Sequence, residues 1–151
     1  MINSVFVKSL VLEDVDVLFK LRNLPDIVSL SASQKVVSYK EHVKWLHNSL
    51  LNKNKFMFLI FVKNDAAGFV SFEKEIVSRY TISLYLTKNY RGEGIGKQSY
   101  FEALSYLPIG PKFIVAKVRK DNVGSQRFFL NSGFVTKEEK KEIILMEKAY
   151  D

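Results

Sequence analysis

Apolar residues recur at helical spacing near the N-terminus and at strand spacing through most of the rest of the chain. Residues 5–8 read as a short strand. A first helix is predicted over about 13–23, ending before Pro25, which cannot continue it. Val15, Leu18, Phe19 and Arg22 share one of its faces. Ser38-Tyr-Lys-Glu41 is a capping box and opens a second helix through about residue 51, with Tyr39, Val43, Leu46 and Leu50 as its apolar stripe. Residues 55–62 are apolar on both faces and predict a central strand. Asn64-Asp-Ala-Ala-Gly68 is turn chemistry, and 69–76 is a hairpin partner for the preceding strand. In residues 80–86, Tyr80, Ile82, Leu84 and Leu86 alternate with Thr81, Ser83 and Tyr85. A third helix is predicted over 94–107, a strand over 113–119 and a fourth helix over 122–131. Two last strands follow near 134–136 and 142–147. This order predicts an α/β (α+β) fold, a mixed sheet with helices on both faces. Without a repeat or a linker-like tract, residues 1–151 read as a single domain.

The length of 151 residues suits one domain with a real core. With no cysteine, disulfides, thiolate–zinc sites and a cysteine nucleophile are excluded. The longest apolar run, 56–62, is far too short to span a bilayer, and the first residues lack signal-peptide features. A cytoplasmic protein without a membrane partner is the expectation. The formal net charge of +7 favours anionic partners. The basic residues are scattered, however, and Glu138 and Glu139 interrupt the densest stretch, so nucleic acid is disfavoured as a partner. A homodimer stays open.

Tyr90-Arg91-Gly92-Glu93-Gly94-Ile95-Gly96-Lys97 follows a predicted strand and opens a predicted helix. Its glycines let several backbone N–H groups converge, the helix N-terminus adds partial positive charge, and Arg91 adds a forked donor. These suit a pyrophosphate. The loop lacks the Lys-Ser/Thr pair of a nucleotide-hydrolysing P-loop, and no acidic residue ends a strand about 20 residues on, as dinucleotide binding needs.

Arg91-x-x-Gly94-x-Gly96 resembles the signature of the GNAT superfamily of acyl-CoA-dependent N-acyltransferases, and Asn122-x-x-Ser125-x-x-Phe128-Phe129-x-x-x-Gly133-Phe134 resembles its second motif. The resemblance covers essentially the whole chain. It implies a mostly antiparallel, twisted sheet splayed between its fourth and fifth strands, with acetyl-CoA as cosubstrate in the opening and no metal. The backbone at Leu84, Tyr85 and Leu86 would pair with the pantetheine arm, and the amides from Arg91 through Lys97 would hold the pyrophosphate. Asn122, Ser125 and Phe129 would border the pantetheine and thioester.

Phe19-Lys-Leu-Arg-Asn-Leu-Pro-Asp26 and Glu41-His-Val-Lys-Trp-Leu46 are similar to the amino-sugar N-acetyltransferases of the pseudaminic-acid pathway. That similarity implies an acceptor amine on a nucleotide-linked amino sugar, with Arg22, Asn23 and His42 contacting it. Similar patterns also occur in the acetyltransferases of ribosomal-protein N-termini. Independently, Arg22 sits on an apolar helix face, where a charge needs a partner: an anion, a structural salt bridge, or a snorkelling exit. His42 lies beside a helix stripe and is either structural or part of the site, whereas His47 reads as surface.

A neutral amine must form before attack, so a base or a water chain is needed. Many family members carry Glu where Thr81 stands. Glu73, on the same strand face as Phe69 and Ser71, and His42 are the candidate bases. The usual tyrosine acid is replaced by Phe129, leaving Tyr85, Ser125, a helix dipole or water to protonate the leaving thiolate. An acyl-CoA sensor of weak activity is the rival class.

Overall fold

The computed structural model describes residues 4–31 and 33–151. Strand β1 spans Val5–Ser9, and a 3-10 turn, Leu12–Asp14, leads into α1, Val15–Arg22; a second 3-10 turn, Lys88–Tyr90, precedes the glycine loop. Then follow α2 (Pro25–Leu30), α3 (Tyr39–Leu50), β2 (Lys55–Val62), β3 (Asp65–Ile76) and β4 (Arg79–Leu86). The remainder is α4 (Ile95–Leu104), β5 (Lys112–Arg119), α5 (Val123–Asn131), β6 (Val135–Glu139) and β7 (Ile143–Tyr150). The strands form one sheet in the order β1-β2-β3-β4-β5-β7-β6. Every neighbouring pair is antiparallel except β4 and β5, which run parallel.

The period-two alternation of the strands divides two apolar layers. On one face Phe58, Ile60, Val70, Phe72, Ile82, Ile114 and Ala116 pack with Tyr100 and Ala103 of α4 and Phe129 of α5. On the other, Met57, Leu59 and Phe69 pack with Leu18 and Leu21 of α1 and Leu46 of α3. β2 lies between two strands and supplies both layers, which is why its sequence is apolar from Phe56 to Val62.

Several sequence expectations shift. Pro25 does end α1, but it also occupies the first turn of a new helix, α2. There its missing N–H costs nothing and its fixed φ suits helix entry. The β2–β3 turn is confined to Lys63 and Asn64, with Lys63 at φ +56°, and Gly68 lies inside β3 instead. It must be glycine, because a Cβ there would come within 2.2 Å of the Tyr85 carbonyl oxygen. The buried face of α3 is His42, Leu46 and Ser49, while Tyr39 and Leu50 at the ends of the expected stripe are exposed. The Ser38 capping box forms as expected: Ser38 Oγ accepts from the Glu41 N–H at 3.1 Å and the Ser38 N–H donates to Glu41 Oε1 at 3.4 Å.

One irregularity of the sheet creates the site. Pairing of β4 with β5 runs from Arg79 opposite Phe113 to Ile82 opposite Ala116, and stops although both strands continue. Beyond those pairs the sheet is open in its middle.

Candidate active site

The backbone direction of β4 can be read from its two edges. The Thr87 N–H donates to Ala67 O at 2.8 Å toward β3, and the Phe113 N–H of β5 donates to Ser78 O at 2.7 Å. Polar groups of successive strand residues point to opposite sides. Even-numbered residues of β4 therefore face β5 and odd-numbered ones face β3. Leu84 and Leu86 lie past the last β4–β5 pair, so their N–H and C=O groups project into the opening. Arg91 Nε already donates to Leu86 O at 3.0 Å. The backbone of Tyr85 is committed to β3, and its ring stacks on Phe69 at 5.5 Å on the other face of the sheet.

At one end of the opening stands the glycine loop. Gly92 and Gly94 have φ of +78° and +79°, in the left-handed region that glycine adopts without steric cost. A Cβ on either would meet nothing within 4 Å, so both border open space. Gly94 is the N-cap of α4, and no side chain caps that helix, leaving its first N–H groups and its positive pole available. Gly96 is different: a Cβ there would sit 3.2 Å from Phe128 Cε1, so it lets α4 approach α5. Arg91, Gly92, Gly94, Gly96 and Lys97 line the cleft. Ile95 is buried and Glu93 is exposed; their side chains stand outside the lining.

On the other wall Asn122 is the N-cap of α5, with Oδ1 accepting from the Ser125 N–H at 3.1 Å. Asn122, Ser125 and Phe129 all border the cleft. Phe129 is 6% exposed and packs against Phe134 at 4.9 Å and Phe128 at 5.1 Å between ring centroids.

Across the sheet lies a second half of the same cleft, bounded by α1, α2 and α3. Arg22, His42, Trp45, Phe69 and Tyr85 line it together with Ile27, Leu30 and Ser31. His42 is 3% exposed, its ring stacks on Trp45 at 5.7 Å, and its Nε2 has no hydrogen-bond partner. Nη1 of Arg22 is likewise buried without a partner, while Nη2 donates to Ser33 Oγ at 3.3 Å. Burial holds the His42 pKa below the usual imidazole value; the nearby Arg22 charge adds to this and a backbone hydrogen bond at Val15 opposes it. With its pKa held below the ordinary value near 6.5, His42 is neutral at pH 7. Burial also raises the Tyr85 hydroxyl well above its ordinary value, partly offset by Arg22. The whole cleft measures about 1410 Å³. A single drug-sized ligand fills roughly 300–1,000 Å³, so the space suits two ligands meeting at the splay.

Two expected site residues stand elsewhere. Asn23 turns away from the cleft: its Oδ1 accepts from the Val37 N–H at 2.8 Å and its Nδ2 donates to Val37 O at 2.9 Å, pinning the loop after α2. Glu73 is exposed and lies opposite Thr81 in the closed half of the sheet, outside the cleft lining. It is Glu75 that accepts a hydrogen bond from Thr81 Oγ1, with Lys117 Nζ 3.6 Å from its carboxylate. Glu73 keeps its alternation with Phe69 and Ser71; the β-bulge between Lys74 and Ile76 comes after it and sets the position of Glu75. Trp45, Lys117 and Arg127 also line the cleft and were not singled out. Trp45 lies within the similarity segment of α3, and Lys117 directly follows the last β4–β5 pair, which only the register reveals.

A parted β4–β5 pair, a glycine-opened helix N-terminus beside it and a second chamber opposite together form the candidate site. The chain belongs to the acetyltransferase (GNAT) domain family, whose model matches residues 5–135. It is similar to acetyltransferase PseH from Campylobacter jejuni, 24% identical over 130 residues, covering 86% of this chain and 82% of that protein. Among solved structures, a domain from Methanocaldococcus jannaschii superposes with a TM-score of 0.86 at 21% identity, covering 99% of this chain and 100% of that one. PaiA N-acetyltransferase from Thermoplasma acidophilum, solved with coenzyme A, gives 0.76 at 20% identity over 97% and 99% of the two chains. The protein is accordingly an acetyl-CoA-dependent N-acetyltransferase. Among the described residues no helix is long and apolar enough to cross a membrane.

Proposed function

We propose that the protein acetylates the amino group of a nucleotide-linked amino sugar, with acetyl-CoA held between β4 and β5. The observation that carries this reading is the pair of buried, unpartnered nitrogens on Arg22 and His42, facing one chamber beside the splay. Arg22 is half-buried, its Nη1 is unpaired and no carboxylate pairs with it among the described residues; a cation so placed favours an anion in the chamber. A sugar nucleotide brings a diphosphate together with its amine. The similarity of the Arg22 and His42 segments to the pseudaminic-acid branch, and the match to acetyltransferase PseH, support the same acceptor.

In this reading the pantetheine arm adds to β4 as a strand would, bonding to the backbone groups of Leu84 and to the N–H of Leu86. The amides of the Arg91–Lys97 loop hold the pyrophosphate at the positive end of α4. The acceptor amine loses a proton, to neutral His42 or to a water, and attacks the thioester carbonyl. The Leu84 N–H stabilises the oxyanion; the C–S bond then breaks, the amide forms, and the CoA thiolate leaves to take up a proton. Holding both reactants at the splay makes proximity the main contribution.

One observation favours a second reading, an acyl-CoA sensor of low activity: Phe129 offers no hydroxyl to the leaving thiolate. A thiol pKa near 8.5 makes the thiolate a tolerable leaving group, so turnover remains the primary reading. The decisive experiment measures acetyl transfer from acetyl-CoA to nucleotide-linked amino sugars and to ribosomal-protein N-terminal peptides side by side. Transfer to the sugars alone supports the proposal. Transfer to peptides alone overturns the acceptor, and tight acetyl-CoA binding without any transfer favours the sensor.

A further inference from the structure

Arg91 does more than sit at the glycine loop. Its guanidinium donates from Nε to Leu86 O at 3.0 Å and from Nη2 to Asp26 Oδ2 at 2.7 Å. Leu86 ends the strand that borders the opening, whereas Asp26 lies in the first turn of α2. One side chain therefore joins three parts: the cofactor loop, the free end of β4 and the wall of the acceptor chamber. Ile27, Leu30 and Ser31, which follow Asp26, line that chamber. Among the described residues, Arg91–Asp26 is the only ion pair that ties α2 to the rest of the protein.

The helix it ties is short and weakly held by itself. α2 has six residues, one of them, Ile27, buried, and no side-chain cap. So short a helix has little intrinsic stability and takes its position from what it is fastened to. We propose that Asp26 is a positioning residue that couples the two halves of the cleft: acetyl-CoA bound at the loop immobilises Arg91, and Arg91, through Asp26, fixes α2 as the acceptor wall. The proposal rests on the reading of the Arg91–Lys97 loop as the pyrophosphate site. A guanidinium carries five donors in a rigid fork. Two are used here, so a phosphate can engage another without displacing Asp26. The pair is partly exposed on both sides, so solvent screening leaves it weak on its own. A bound anion that removes the freedom of Arg91 turns it into a fixed strut. Coupling of this kind is reciprocal, so a filled acceptor chamber tightens the hold on acetyl-CoA by the same factor.

The test uses the full chain and acetyl-CoA alone, so it does not depend on the identity of the acceptor. Amide hydrogen exchange is measured across residues 25–31, with and without saturating acetyl-CoA, in the wild type, Asp26→Asn and Asp26→Glu. In the wild type acetyl-CoA is expected to slow exchange there by about fivefold or more. In Asp26→Asn, which keeps the shape and removes the charge, binary acetyl-CoA affinity should stay within about threefold while the protection disappears. Asp26→Glu should restore part of it. Equal protection of 25–31 in the wild type and Asp26→Asn overturns the coupling, and so does acetyl-CoA binding that leaves these amides unprotected or exposes them further. Failure of the underlying loop assignment looks different: acetyl-CoA would then bind equally well to a Gly94 variant.

Discussion

Asn23 and Val37 are joined by two hydrogen bonds, 2.8 and 2.9 Å long, in which one side-chain amide imitates the edge of a neighbouring strand. The pair fastens the chain after α2 to the end of α1, beside Arg22. Asn23 therefore shapes from behind the chamber proposed to hold the acceptor. Removing it with Asn23→Ala leaves two backbone groups short of a partner, at about 1–3 kcal/mol. We expect acceptor KM to rise severalfold while acetyl-CoA affinity is unchanged, with faster proteolysis within 31–38. A fall in acetyl-CoA affinity as large as the loss for the acceptor would refute this role.

The glycine loop makes a separate prediction. At Gly94, φ of +79° penalises any other residue, and the open space above the loop is where a phosphate would lie. Gly94→Val, and Gly96→Val by collision with Phe128, should weaken acetyl-CoA by at least about tenfold, or 1.4 kcal/mol. Calorimetric titration, with circular dichroism to establish folding, decides it. Wild-type affinity in a folded variant would remove the loop from the site.

His42 gives a pH signature. Its folded pKa lies below the ordinary value near 6.5, so the unfolded chain takes up the proton more readily. The stabilising contribution is complete above about pH 6.5 and is lost as pH falls through the lowered folded value. The wild type should lose Tm on acidification below pH 6.5, and His42→Gln should lose less. An anion in the chamber favours the protonated ring and should shrink the difference. A base role further predicts an acid limb of kcat/KM that His42→Gln removes, whereas Glu73→Gln leaves the profile intact because Glu73 is exposed and outside the cleft.

By the family resemblance Phe129 would stand where a tyrosine acid is common, and it has no proton to give. General-acid assistance is typically worth 10²- to 10⁴-fold, and water or a hydroxyl such as Tyr85 or Ser125 offers a substitute. Phe129→Tyr should therefore keep or raise kcat with little change in acetyl-CoA affinity, read by release of free CoA. Loss of activity in the folded variant would show that the buried ring position cannot accept a hydroxyl.

Gly68 carries a stability prediction. Gly68→Ala places a Cβ 2.2 Å from Tyr85 O and 3.0 Å from the Leu86 Cα. β3 must then move away from β4 at the edge of the opening, at about 3 kcal/mol. Urea unfolding measures the loss, and a change under 0.5 kcal/mol would mean the strands shift freely.

Local chemistry decided much of this protein within the sequence. The capping box at Ser38, the apolar run of β2 and the glycine spacing from Arg91 to Gly96 each specify an element through contacts only a few residues long. The family follows from them, and so does the proposal that acetyl-CoA lies at the glycine loop. Relations between distant segments had to wait for the tertiary structure. Pro25 stops one helix by its own geometry, but whether another begins there depends on what Ile27 packs against. Glu73 does alternate with Phe69 and Ser71, but its place opposite Thr81, in the half of the sheet where β4 and β5 stay paired, is set by a register that only the folded sheet shows. The polarity of Leu84 toward the opening needs the register of β4 on both sides. The empty valences of Arg22 and His42, and the bond from Arg91 to Asp26, exist only when helices far apart in the chain meet across the splayed sheet. Short-range sterics and hydrogen bonding are written in neighbouring residues, whereas burial, orphaned charge and long-range pairing are properties of the packed chain.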